Sequence, residues 1–329
     1  LMDVGVSEHV RLLDVGVSER IRAFGLEEGL RRSVRRGRTL VGHWLVIIIK
    51  CWRLGLIEQA EGCELVIAQA ALATDRRLEA FDGLEGTIDI AGGTAHIPVM
   101  QEAAKRVMKA WPKIRITVAG GGSGVGVQKV GEGLVDIGNA GRPIKPAENE
   151  KYALTSFAFA VDGVAVVVHP ANPLRELTSD QARAVFAGTV TNWKELGGAD
   201  REIHLYGRDE ASGTREVFWK KLLAKGEVAK STNVVKSNGA MKTAISGDED
   251  GIGYLSIGHV DDEIAPIAID GVEASQENAK SGAYPVVRKL YMNTKEDRSE
   301  LVQAFLDYVM SDDCAEIVSG AGYIPLAGE

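Results

Sequence analysis

Three times between residues 87 and 141 a short apolar run ends in a glycine turn and gives way to a helical pattern. TIDIAGG (87–93) is followed by HIPVMQEAAKRVMKAW (96–111), RITVAG (115–120) by VGVQKVGEG (125–133), and VDIGNAG (135–141) closes the series. Pro98 suits the first turn of its helix. Strand and helix alternating this tightly predict a parallel sheet with right-handed crossovers. In such sheets ligands bind beyond the carboxyl ends of the strands. The turns Gly93-Thr94, Gly122-Ser123-Gly124 and Gly141-Arg142 therefore belong to one binding edge. HLYGRDEASGTREVFWKKLL (204–223) repeats the plan, with Ser212-Gly213-Thr214 at the helix cap. VDGVAVVVHP (161–170) is an apolar strand, LTSDQARAVFAGTVTNWKELGG (177–198) a helix closed by glycines, GIGYLSIG (251–258) another strand, and SELVQAFLDYVM (299–310) a last helix. The expected architecture is α/β, with two units joined by more than one crossing strand.

The most glycine-rich turn, VAGGGSGVGVQKV (118–130), holds five glycines in seven residues. It lacks the Gly-Lys-Ser/Thr of a phosphate-binding P-loop, since Val127 and Gln128 follow Gly126. No triple of its glycines has the spacing of a dinucleotide fingerprint. Around Ser123 the nucleophile-elbow pattern fails at Val125. What remains is a backbone cradle whose amides can approach an anion.

The chain is long enough for two ordinary domains at 329 residues, and 45% hydrophobic content supplies their cores. A formal charge of −8 argues against nucleic acid or an anionic membrane surface as the main partner. Cys51, Cys63 and Cys314 form no metal-ligand spacing. Residues 1–84 balance twelve basic against twelve acidic side chains, so the whole charge deficit falls on the rest. This segment uses eleven arginines and one lysine, and contains a tandem repeat, MDVGVSEHVRL and LDVGVSERIRA, too short for a solenoid. The basic RRSVRRGR (31–38) precedes the apolar LVGHWLVIII (40–49), which is shorter than a membrane span of about 20 residues. An export or anchor region, a helical extension and upstream sequence foreign to the protein all stay open for it.

Free N–H groups at a helix start make an anion site, with the helix dipole behind them. Thr94, Ser123, Ser212 and Thr214 each add a hydroxyl there, and Arg142 and Arg208 add guanidinium forks suited to a tetrahedral oxyanion. Each piece alone has an ordinary reading: Ser-Gly-Thr is a common cap, a lone arginine a common surface residue. Their recurrence at several strand ends is what points to a ligand. An enzyme is not expected. The six histidines form no HExxH pattern, no His-Asp-Ser set can be assembled, and DEDG (248–251) lacks the ligands of a calcium loop. No cofactor or metal is called for.

From about 86 to 327 the chain resembles the PstS-type phosphate-binding proteins of bacterial phosphate ABC transporters. IAGGTAHIPV, GGGSGVGVQKV, VDIGNAGRPIK, LTSDQARAVFAGTVTNWKELGG, GRDEASGTREVF, GIGYLSIGHV and FLDYVMSDDCAEIVSGAGYIPL carry the resemblance. It implies a type II periplasmic-binding-protein fold, two lobes closing on inorganic phosphate in the hinge cleft. The implied organisation is an atypical segment 1–84, a first lobe of 85–163 with 258–329, and a second lobe of 164–257. By position, Thr94, the Ala95 amide, Ser123, Arg142, Arg208, Ser212, Gly213 and Thr214 correspond to phosphate contacts. Export, delivery to a membrane permease and a monomeric state are implied with them, membrane anchoring through the N-terminal region being one option. Family members often carry an aspartate or serine where this chain has Ala140-Gly141. A carboxylate acceptor separates protonated phosphate from sulfate, because an unpaired buried polar group costs about 1–3 kcal/mol. With Gly141 in place, Asp162, Asp209 and Glu210 are the candidates for that duty. Another oxyanion (sulfate, molybdate, tungstate) on the same fold is the alternative, as is a phosphate-sensing or phosphate-cleaving protein.

Overall fold

The computed structural model describes residues 76–326, so the repeat, the basic run and the apolar run of the N-terminal segment lie outside the described residues. A 3-10 turn, Arg76–Phe81, leads in. Phe81 is fully buried and meets Tyr308 edge-to-face at 6.2 Å. The first lobe thus begins before the expected residue 85.

The strands run β1 (Gly86–Gly92), β2 (Ile114–Gly121), β3 (Ile137–Ala140), β4 (Thr155–Val168), β5 (Glu176–Leu177), β6 (His204–Arg208), β7 (Asn233–Val235), β8 (Gly251–Ser256), β9 (Ala265–Ile269), β10 (Val287–Thr294) and β11 (Ile324–Pro325). Between and after them come helices α1 (Ile97–Ala110), α2 (Ser123–Gly131), α3 (Pro146–Tyr152), α4 (Ser179–Ala187), α5 (Gly213–Lys221), α6 (Asn238–Ser246), α7 (Gln276–Ser281), α8 (Glu300–Val309) and α9 (Asp312–Gly320). Among the described residues no helix is long and apolar enough to cross a membrane.

The strand order is β2-β1-β3-β10-β4-β8-β6-β7. At one end β1 pairs β2 and β3 in parallel, as the repeated strand–turn–helix pattern requires. At the other, β6 pairs β7 and β8 in parallel. The two parallel sets are bridged by antiparallel β4 and β10. β4 is long enough to serve both: Thr155–Gly163 pairs with β10, and Val164–Val168 with β8.

Apolar burial follows the same division. Ile88, Ile90, Val99, Met100, Phe159 and Phe305 belong to one core, and Val164 through Val168, Phe186, Phe218, Leu255 and Tyr284 to another. Full burial of such side chains contributes about 1.5–3 kcal/mol each. Along α1 the buried Val99, Met100, Ala103, Ala104 and Val107 fall at helical spacing and face the first core. The expected lobe boundary at 258 needs correction. Ile264, Ile267, Ile269, Tyr284 and Val286 pack in the second core, because β9 pairs with the second half of β4. The chain returns to the first lobe along β10, near Val287–Leu290.

Candidate functional site

The carboxyl ends of the parallel strands converge between the two cores on a cavity of about 10 Å³. One water molecule needs about 10–15 Å³ on that scale, so the two lobes close tightly on this space. Gly93, Thr94, Ala95, Gly122, Ser123 and Gly141 line it from the first lobe, and Arg208, Ser212, Gly213 and Thr214 from the second. Of the sequence-predicted contacts the structure brings together seven: Thr94, Ala95, Ser123, Arg208, Ser212, Gly213 and Thr214.

The hydroxyls are arranged as donors. Ser123 Oγ accepts the Gly141 amide at 2.9 Å, Thr94 Oγ1 the Asn238 amide at 3.2 Å, and Ser212 Oγ the Arg215 amide at 3.2 Å. A hydroxyl whose oxygen already takes an N–H still has its own proton to give. Thr94 and Ala95 open a 3-10 turn, and Gly213 and Thr214 open α5, where helix geometry leaves amides without internal acceptors. Gly213 is required by close approach, since a Cβ there would sit 2.2 Å from Ser123 Oγ.

The glycine-rich turn borders the cavity through Gly122 and Ser123, and three of its amides are spent on holding the backbone together. The amides of Gly122, Gly124 and Gly126 donate to the carbonyls of Gly92, Ala211 and Gly122. The bond from Gly124 to Ala211 crosses between the lobes, at 2.9 Å. Gly122 has φ of 90°, and a Cβ on it would lie 2.8 Å from Ala211 O. Bare backbone here lets the second lobe approach the first.

Arg208 is buried at the end of β6. Its Nε donates to Val235 O, Nη1 to Asn238 Oδ1 and Nη2 to Lys236 O, each at 3.1 Å. All three partners are neutral, and burial pulls its pKa down to about 10. A buried charge held only by neutral acceptors favours an anion beside it.

Arg142 departs from expectation. Its guanidinium donates to Glu148 at 2.6 and 2.7 Å and to Pro143 O, and pairs with Glu216 of α5 at 3.0 Å, so two carboxylates hold it outside the cavity lining. Arg288, which sequence reasoning passed over, lines the cavity instead. It is bound to Asp162, whose carboxylate accepts its Nε at 2.9 Å and the Ser256 hydroxyl at 2.8 Å. Burial pushes the Asp162 pKa up, and Arg288 works against that. Asp162 is thus engaged behind the guanidinium and is absent from the cavity lining. Asp209 and Glu210 line a separate cavity of about 320 Å³ in the second lobe, with Phe218 and Trp219. None of the three candidate acceptors borders the small cavity.

His96 does border it. Its Nε2 faces Tyr291 O at 3.2 Å, which places the proton on Nε2. Nδ1 is then a buried acceptor without a donor among the described residues. Burial, and secondarily Arg288, lowers the imidazole pKa to about 3, so the ring is neutral near pH 7. Taken together the site offers hydroxyls, amides and guanidiniums to one compact anion.

Comparison with known proteins agrees with this chemistry. Residues 79–313 match a family model described as a PBP superfamily domain. The phosphate-binding protein PstS of Bacillus subtilis is 36% identical over 244 residues, covering 73% of this chain and 81% of that protein. PstS of Pseudomonas aeruginosa is 29% identical over 290 residues, 79% of this chain and 90% of that protein. Among solved structures, one from Clostridium perfringens is described as a phosphate ABC transporter substrate-binding protein with bound phosphate. It superposes with a TM-score of 0.70 at 32% identity, covering 73% of this chain and all of that one. An ABC-type phosphate transport receptor from Vibrio cholerae gives a TM-score of 0.60 at 30% identity, with 72% and 99% covered.

Proposed function

The chain belongs to the PBP superfamily, alongside the PstS phosphate-binding proteins, and from that premise we propose that it captures inorganic phosphate outside the cytoplasm for the permease of an ABC transporter. It acts as a monomeric carrier, and its role is binding and release without chemistry on the ligand. The observation that carries this reading is the Arg208 guanidinium, buried among neutral acceptors and facing a cavity ringed by donors. Thr94, Ala95, Ser123, Ser212, Gly213 and Thr214 supply the remaining donors.

A ligand that binds only the folded state raises the melting temperature with concentration. Phosphate is expected to do so for the ligand-stripped protein. Arg208→Ala should weaken binding by roughly 30-fold or more, since a desolvated charge contact is lost. Near wild-type affinity in that variant would remove Arg208 from the site.

One observation favours a second reading, a broader oxyanion carrier. Gly141 offers no acceptor for a phosphate proton, and the carboxylates proposed to replace it lie outside the cavity lining. On that reading sulfate in excess displaces phosphate; on the first it does not.

A further inference from the structure

Where an acidic acceptor would stand at position 141, the neighbouring space holds a cation. A Cβ on Gly141 would lie 2.6 Å from Arg288 Nη1, 2.9 Å from Cζ and 3.3 Å from Nε. Gly141 and Arg288 both line the small cavity with Arg208. On the other side of the guanidinium, Nε and Nη2 meet the same Asp162 oxygen at 2.9 and 2.8 Å. The two residues face each other across paired strands, Arg288 on β10 and Asp162 on β4, where the chain passes between the lobes. Asp162 is fixed in turn by Ser256, and Tyr323, 3.1 Å from Ser256 Oγ, donates to the carbonyl of Ala95 in the cavity wall. Asp162 thus takes the Nε hydrogen bond and pairs by charge with Nη2, which finds no hydrogen-bond acceptor among the described residues, and Nη1 is left on the Gly141 side.

We infer that Arg288 is a second cationic ligand of the bound anion, donating through Nη1, with Asp162 as the positioning residue that sets its guanidinium. The inference rests on the anion-carrier function proposed above. It makes chemical sense of Gly141: any side chain there would displace the guanidinium. Two arginines and one carboxylate leave the site one net positive charge, and one arginine reaches the anion from each side. Arg208 comes from the second lobe, and Arg288 from the strand that joins the two. A planar fork can hold a carboxylate on one edge and an anion on the other, which a lysine ammonium cannot do in one geometry.

The test is calorimetric titration of the ligand-stripped full chain with phosphate, alongside ligand-free melting temperatures. Arg288→Gln alone would bury an unpaired carboxylate, so the principal variant is Arg288→Gln with Asp162→Asn, which removes both charges. It should fold and bind phosphate roughly 30-fold or more weakly. Arg288→Lys keeps a cation for Asp162; it should keep the melting temperature yet stay at least roughly tenfold weaker in affinity. A double variant that melts as a folded protein and binds within about threefold of wild type would overturn the inference. So would Arg288→Lys restoring affinity and melting temperature together, because that is the behaviour of a purely structural ion pair.

Failure of the phosphate reading looks different. If the wild type ignores phosphate but binds sulfate or molybdate, the same variants titrated with that anion decide the role of Arg288. A wild type that binds none of the three overturns both.

Discussion

At the scale of single residues the site rests on where each polar group sends its remaining valence. Ser123, Thr94 and Ser212 accept from the backbone and so keep a proton for a ligand. His96 is the odd member, a neutral buried ring whose pKa is held down to about 3. In the unfolded chain a histidine titrates near 6.5. A base with a depressed folded pKa contributes stability above its unfolded value and loses it as pH falls toward the folded one. Between pH 6.5 and about 3, unfolding therefore takes up one proton through His96, worth up to about 1.4 kcal/mol per pH unit. His259, lowered to about 4 mainly by burial, adds a parallel term. In His96→Gln, denaturant unfolding at pH 7.5 and pH 5 should show a smaller loss of stability than in wild type. Equal losses in the two proteins would mean that the ring is not held neutral by the fold.

At the scale of elements, most of the fold was legible and its interlobe contacts were not. The strands and helices around residues 87–141 and 204–223 appear within a residue or two of their expected bounds, because each is announced by local apolar spacing and a turn. The Ser212 cap was likewise local, three residues from the amide it accepts. Arg288 is not legible locally because its partner is 126 residues away in sequence. The only local signal was an arginine at an inward position of the alternating strand VRKLYM. Arg142 departs from its expected place for the opposite reason. Its motif matches a ligand position, yet Glu148 at the start of α3 and Glu216 on α5 claim its guanidinium. That triad links the lobes, since Arg142 follows β3 and Glu216 belongs to the second lobe. Burial alone would raise both glutamate pKa values, but hydrogen bonds from Arg142 to Glu148 and from Lys220 to Glu216, with the Arg142 charge, bring them below normal. The latch is thus complete above the ordinary carboxylate range and weakens as pH falls below that range. Glu216→Gln should speed phosphate release about fivefold in stopped flow, for a lost contact of about 1 kcal/mol. An unchanged release rate would show that the pair does not hold the lobes together.

At the scale of the whole molecule, two parallel half-sheets are hung on β4 and β10, and the cavity lies where their helix N-termini converge. The Gly124–Ala211 and Asn238–Thr94 hydrogen bonds and the Arg142–Glu216 pair all cross from one lobe to the other beside it. Closure and binding then share the same contacts, so an anion that engages both lobes shifts the molecule toward this closed arrangement. A net charge of −8 is no obstacle, because local donors set the site and exposed charges are screened over about 8 Å. The most direct measurement is calorimetric titration of the ligand-stripped chain with phosphate. Saturable heat at one phosphate per chain is expected. An absence of heat with phosphate, from a protein shown to be folded, would contradict it.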